Sequence, residues 1–141
     1  MLLINACCTK EYQVCEGLDT IKSISFVNFT ANELDSVYLI SYELNTNFQA
    51  KIDSIQLDSI VPITSNNYKA ILHNDLNHHA DYMLFIKSSS STYTISDFSI
   101  MQESCQQCGE KNYNYSYLIS VAVNSVLQTN LGNPPQIVIE Q

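Results

Sequence analysis

Apolar and polar residues alternate with a period of two along most of this chain, and no stretch follows the 3.6-residue period of a helix. The clearest case is the run Tyr113–Val123. Tyr113, Tyr115, Tyr117, Ile119, Val121 and Val123 fall on one face, and Asn114, Ser116, Leu118, Ser120 and Ala122 on the other. The pattern predicts a long antiparallel strand with the tyrosine and valine face turned inward. Asp35–Leu44 repeats it, with Tyr38, Ile40, Tyr42 and Leu44 on one side. Lys22–Phe29 and Asp81–Lys87 are two more strands, and Asp53–Leu57, Tyr68–Leu72, Thr92–Ser96, Phe98–Gln102 and Gln136–Glu140 are shorter ones. β-Branched and aromatic residues recur in all of them.

The segments between carry turn chemistry: Thr30-Ala-Asn-Glu33, Asn45-Thr-Asn47, Ser65-Asn-Asn67, Asn74-Asp75 and Ser88–Ser91. Gly132-Asn-Pro-Pro135 breaks the chain before a last short strand or tail. Seven to nine strands at this spacing predict an all-β antiparallel β-sandwich, Ig-like or related. At 141 residues the chain is one domain's worth. The expected division is a signal-peptide remnant at 1–6, an anchor and tether at 7–21, and one sandwich at 22–141.

Charge narrows the partners. Only 14% of residues are charged, against about 25% in an average globular protein. Six lysines face 14 acidic residues, and the net charge is -8. Nucleic-acid binding needs clustered Lys or Arg to displace counterions, and this sequence has no such cluster. An anionic bilayer would repel the folded domain for the same reason. The polar surface comes from Ser, Asn, Gln, Thr and Tyr, which suits an exported protein. No run of 18 apolar residues is present to form a membrane-spanning helix.

The N-terminal stretch MLLINACC raises a different possibility for membrane attachment. Leu3-Ile-Asn-Ala-Cys7 resembles a bacterial lipobox: Ile4, Ala6 and Cys7 fit it, and Asn5 departs from it. The resemblance implies that Cys7 carries diacylglycerol, whose acyl chains contribute about 0.8 kcal/mol of membrane affinity per buried CH₂. The alternative is a first strand over Leu2–Ala6 followed by buried cysteines.

Three constellations could carry chemistry. Cys105-Gln-Gln-Cys108 lacks the helix that lowers a thioredoxin-type thiol's pKa, and it lacks a second CxxC for zinc. A structural disulfide among Cys105, Cys108, Cys8 and Cys15 is the plainer reading, its connectivity left open. His73, His78 and His79 lie near Asp75 and Asp81, enough nitrogen and oxygen for a divalent metal; a polar loop between strands would look the same. Third, Asp19-Thr20-Ile, Asp35-Ser36-Val, Asp53-Ser54-Ile and Asp58-Ser59-Ile share one pattern. It resembles the acceptor motif of the general O-glycosylation system of Bacteroidota, with Thr20, Ser36, Ser54 and Ser59 as acceptors. Asp-Ser is equally ordinary punctuation before a strand. No nucleophile elbow and no glycine-rich phosphate loop occurs.

Taken together, the Cys-containing start, Asp81-Tyr82, Tyr93-Thr-Ile-Ser-Asp97, Cys105-Gln-Gln-Cys108-Gly and Tyr117–Asn124 resemble the small uncharacterised exported lipoproteins of Bacteroidota. The resemblance implies a lipid-anchored β domain in the periplasm or at the outer-membrane surface, with a structural or binding role. It implies no cofactor and transfers no catalytic residue, so a non-enzymatic role is expected. The expected partner is an envelope protein or glycan. The competing expectation is a periplasmic thiol-redox or metal protein that uses the CxxC pair or the histidines.

Overall fold

The computed structural model describes residues 18–105 and 113–141. Among the described residues, ten strands form two sheets that pack face to face as a β-sandwich. The four-stranded sheet is ordered β10 (Gln136–Glu140), β1 (Ile21–Val27), β5 (Asn67–Leu76), β4 (Ile60–Thr64). The six-stranded sheet is ordered β3 (Lys51–Gln56), β2 (Val37–Glu43), β6 (Ala80–Ile86), β7 (Ser91–Cys105), β8 (Tyr113–Val123), β9 (Val126–Thr129). All pairings are antiparallel except β1 with β10, which run parallel. Ile24, Phe26, Ala70, Leu72, Ile137 and Ile139 from the smaller sheet meet Val37, Leu39, Leu84, Ile86, Ile95 and Val121 from the larger one in a single buried cluster.

Alternation predicts eight of these strands closely, except that Thr92–Ser96 and Phe98–Gln102 are one strand, β7. Asp97 interrupts the pattern because it adopts a left-handed conformation (φ 54°) inside an irregularity, and the pairing with β8 continues on either side. Two strands escape the pattern. β4 contains Pro62, which is tolerated because β4 is an edge strand. β9 follows a two-residue loop, Asn124-Ser125, with both residues at positive φ (48° and 64°), as a type I′ hairpin turn requires. Ser stands where the usual signal has Gly. The described residues therefore hold ten strands rather than seven to nine.

Local chemistry fixes the connections. The turn after β1 closes with Thr30 N–H and Oγ1 both donating to Glu33 Oε2 at 2.7 Å, a reciprocal cap that holds the Glu33 carboxyl below its usual pKa. Asn74-Asp75, expected as a turn, instead belongs to β5, whose pairing with β1 is irregular between Ile71 and Leu76. Lys22 Nζ and Thr20 Oγ1 both donate to Asp75 Oδ2 there and tie the start of β1 to the end of β5.

The outer edge of β10 is sealed by a side chain. Gln128 on β9 donates through Nε2 to Val138 O (2.6 Å) and accepts from Val138 N–H at Oε1 (3.0 Å). Its amide substitutes for the peptide group of a missing neighbouring strand and links the two sheets. Gln128→Ala is expected to lower stability by about 1–2 kcal/mol, the contribution of two hydrogen bonds. It also leaves a sheet edge open to pairing between molecules. Urea unfolding and concentration-dependent sedimentation would measure the two effects. Gln128→Glu, which keeps the acceptor and loses the donor, should fall between.

Candidate functional site

The strands β7 and β8 outrun their neighbours. β6 pairs with β7 only over Ser91–Ile95, and β9 with β8 only over Ser120–Val123. Beyond that, Ile100–Cys105 and Tyr113–Leu118 pair with each other as a two-stranded arm. Phe98, Ile100 and Leu118 seat its base on the core, and the Leu118 amide donates to Leu18 O.

A register irregularity decides which way the arm's side chains face. Near the end of β8 the core residues are Val121 and Val123, with Ile95 opposite Val123; near the arm the core residue is Leu118, opposite Ile100. Leu118 and Val121 are an odd number apart, so an uninterrupted pleat would put them on opposite faces. Register shifts between Ser96 and Ser99, and again between Ser99 and Ile100, let both face the core. The consequence overturns the expectation that one tyrosine–valine face points inward. Val121 and Val123 do, whereas Tyr115 and Tyr117 lie on the side away from Leu118 and the core.

On that outer face the tyrosines are organised across the strand pair. Tyr115 is opposite Glu103 and Tyr117 opposite Met101. Tyr115 Oη donates to Glu103 Oε2 at 2.7 Å and Tyr117 Oη to Oε1 at 3.0 Å, so one carboxylate clamps both phenols. The rings are 6.0 Å apart and inclined by 31°. Tyr117 Oη also lies 2.9 Å from Met101 Sδ. The hydrogen bond to Glu103 pushes the Tyr117 phenol above its usual pKa, so it stays a neutral donor. Met101 and Glu103 are exposed, and both rings are half-buried.

The histidines separate. His73 is on β5, exposed, with Nε2 3.4 Å from Asp58 Oδ1. His78 and His79 follow in the β5–β6 turn, their rings 3.9 Å apart, and line different cavities. Asp75 accepts from Lys22 and Thr20 through the same oxygen, Oδ2. Among the described residues no three His, Cys, Asp or Glu side chains are grouped to hold a metal ion. His78 shares its cavity, about 510 Å³, with Asp81 and Asp97. Burial raises the Asp81 pKa and the Asp97 carboxylate adds to it, against an opposing hydrogen bond from the Asn45 backbone.

His79 borders a second cavity of about 350 Å³, between the inner faces of β2 and β3 and the end of β5. Its floor is formed by the buried Leu39, Leu76, Ala80 and Tyr82. Asp53, Asn74 and Asp75 stand around it.

Of the glycosylation candidates, Ser54 is exposed on edge strand β3, and Ser59 is half-buried, donating to Asp58 Oδ1 at 3.1 Å. Ser36 is half-buried, and Thr20 Oγ1 is engaged by Asp75. Cys7, Cys8, Cys15 and Cys108 lie outside the described residues; Cys105 ends β7, its backbone opposite Tyr113. The outward tyrosine pair is legible only once the irregularity is known, because strict alternation assigns both rings to the face of Val121 and Val123. Compared with protein-family models, with curated proteins and with solved structures, the chain matches none.

Proposed function

We propose that this chain is a non-catalytic, exported binding domain, anchored through a lipid on Cys7, that presents the tyrosine face of the β7–β8 arm to a partner protein of the cell envelope. The clamped tyrosine pair carries this reading. Tyrosine supplies wide amphipathic contact area at low entropic cost, and a pair held by a shared carboxylate has lost little freedom left to lose on binding. Its position on a strand pair that extends past the sheet makes it accessible to a large partner. The lipobox-like start and the low charge support the exported, anchored setting.

Two measurements test the proposal in native cells. Mass spectrometry of the mature chain should find Cys7 acylated, and Cys7→Ala should release the protein from membranes. A photo-crosslinking residue at Met101 should capture a defined partner, whereas the same residue at Ser65, in the β4–β5 turn, should not. Tyr115→Ala and Tyr117→Ala should each weaken binding to that partner about 30-fold, the scale of an interface hot spot. Equal crosslinking from both positions, or tyrosine variants that bind normally, would refute the arm as the contact surface.

A further inference from the structure

The cavity beside β3 is a second site, independent of the arm, and we propose that it binds a neutral sugar unit of a glycan. Its volume, about 350 Å³, is within the range of small-ligand pockets, and its apolar floor of Leu39, Leu76 and Ala80 suits the C–H face of a sugar ring. The groups around that floor are rich in uncommitted acceptors. Asp53 Oδ1 accepts the N–H of Ser54 at 2.8 Å, and Oδ2 makes no intramolecular hydrogen bond among the described residues. Asp75 gives Oδ2 to Lys22 and Thr20 and leaves Oδ1 in the same condition. The Asn74 side chain has no intramolecular partner among the described residues either, and it offers both a donor and an acceptor.

Carboxylate and carboxamide oxygens spread around an apolar floor match the several O–H donors of a sugar. The hydrogen bonds from Lys22 and Thr20 outweigh burial and lower the Asp75 pKa, so it is an ionised acceptor at neutral pH. Two carboxylates and no lysine in the lining disfavour phosphate or another anion. Among the described residues no three-ligand group supports a metal ion.

Binding of the intact protein to an array of neutral oligosaccharides, followed by calorimetric titration of the strongest ligand, tests the inference. A saturable neutral ligand is expected. Asp53→Ala and Asn74→Ala, both on exposed residues, should each weaken it at least tenfold with unchanged thermal unfolding. Tyr115→Ala and Tyr117→Ala should leave sugar binding as it was, so failure of the arm proposal and failure of this one are separable. Absence of any neutral ligand would overturn the inference. So would preference for sulfated or sialylated glycans, equal displacement by methylammonium, or affinity untouched by both cavity variants.

Discussion

Removing residues Gln136–Gln141 is expected to abolish cooperative folding. Ile137 and Ile139 of β10 are 0% and 1% exposed, and both belong to the core. β10 covers one edge of β1 in a parallel ladder from Ser23↔Gln136 to Val27↔Glu140, extended by Gln141 N–H donating to Val27 O. Without it β1 becomes an edge strand, and the core loses what packs beside Ile24 and Phe26. Cutting one buried Ile back to Ala costs about 2–5 kcal/mol. Two lost together cost about 4–10 kcal/mol before the ladder is counted, against a total stability of about 5–15 kcal/mol for a typical domain. Near-UV circular dichroism of the truncated chain should show no cooperative urea transition. By contrast, Glu140→Ala, at an exposed position on the same strand, should stay within about 0.5 kcal/mol of the full chain. A truncated chain that unfolds at the normal midpoint would make β10 a mere appendage.

Alternation marks Gln136–Glu140 as a short strand but says nothing about what it pairs with, and so nothing about whether it belongs to the core or trails from it. Five residues, Gln136–Glu140, show the pattern, but their partner lies more than a hundred residues away in the chain. Parallel pairing to the first strand is a property of the closed sandwich and leaves no local mark. Strand identity was otherwise legible wherever a strand has one buried face, as in β6, where burial alternates from Ala80 to Ile86 without a break. It was illegible at two of the four sheet edges, β4 and β9. β4 and β9 keep large apolar side chains in solvent, among them Ile63 and Val126, so hydrophobicity there does not report burial.

The candidate site was less legible than the fold, for a related reason. The abundance of tyrosine was visible, but which tyrosines face outward depends on the irregular pairing of Ser96–Ile100 with Leu118–Ala122. An irregularity of one residue exchanges the faces of everything beyond it. Likewise His73, His78 and His79 are close in sequence, yet His73 points from a strand toward Asp58 while the other two meet, rings tilted by 41°, in a turn. Proximity along the chain does not translate into convergence when a strand ends between the residues.

Phe26→Ala separates core hydrophobicity from surface hydrophobicity most directly. Phe26 is fully buried on β1, opposite Tyr68 on one neighbour and Ile139 on the other, and its ring meets Phe29 edge to face at 5.7 Å and 88°. Truncation should cost about 3–5 kcal/mol, from lost transfer energy and from the cavity left between two sheets that cannot close over it. With a urea m-value of about 2 kcal/mol/M, the unfolding midpoint should fall by about 2 M with little change in slope. Ile63→Ala removes a comparably hydrophobic side chain from a β-strand, but Ile63 is 60% exposed, and the midpoint should barely move. A double-mutant cycle with Phe29→Ala should return about 0.5–1.5 kcal/mol of coupling for the edge-to-face pair. If Phe26→Ala and Ile63→Ala shifted the midpoint equally, the inner face of β1 would not be the core, and the packing of the two sheets described above would be wrong.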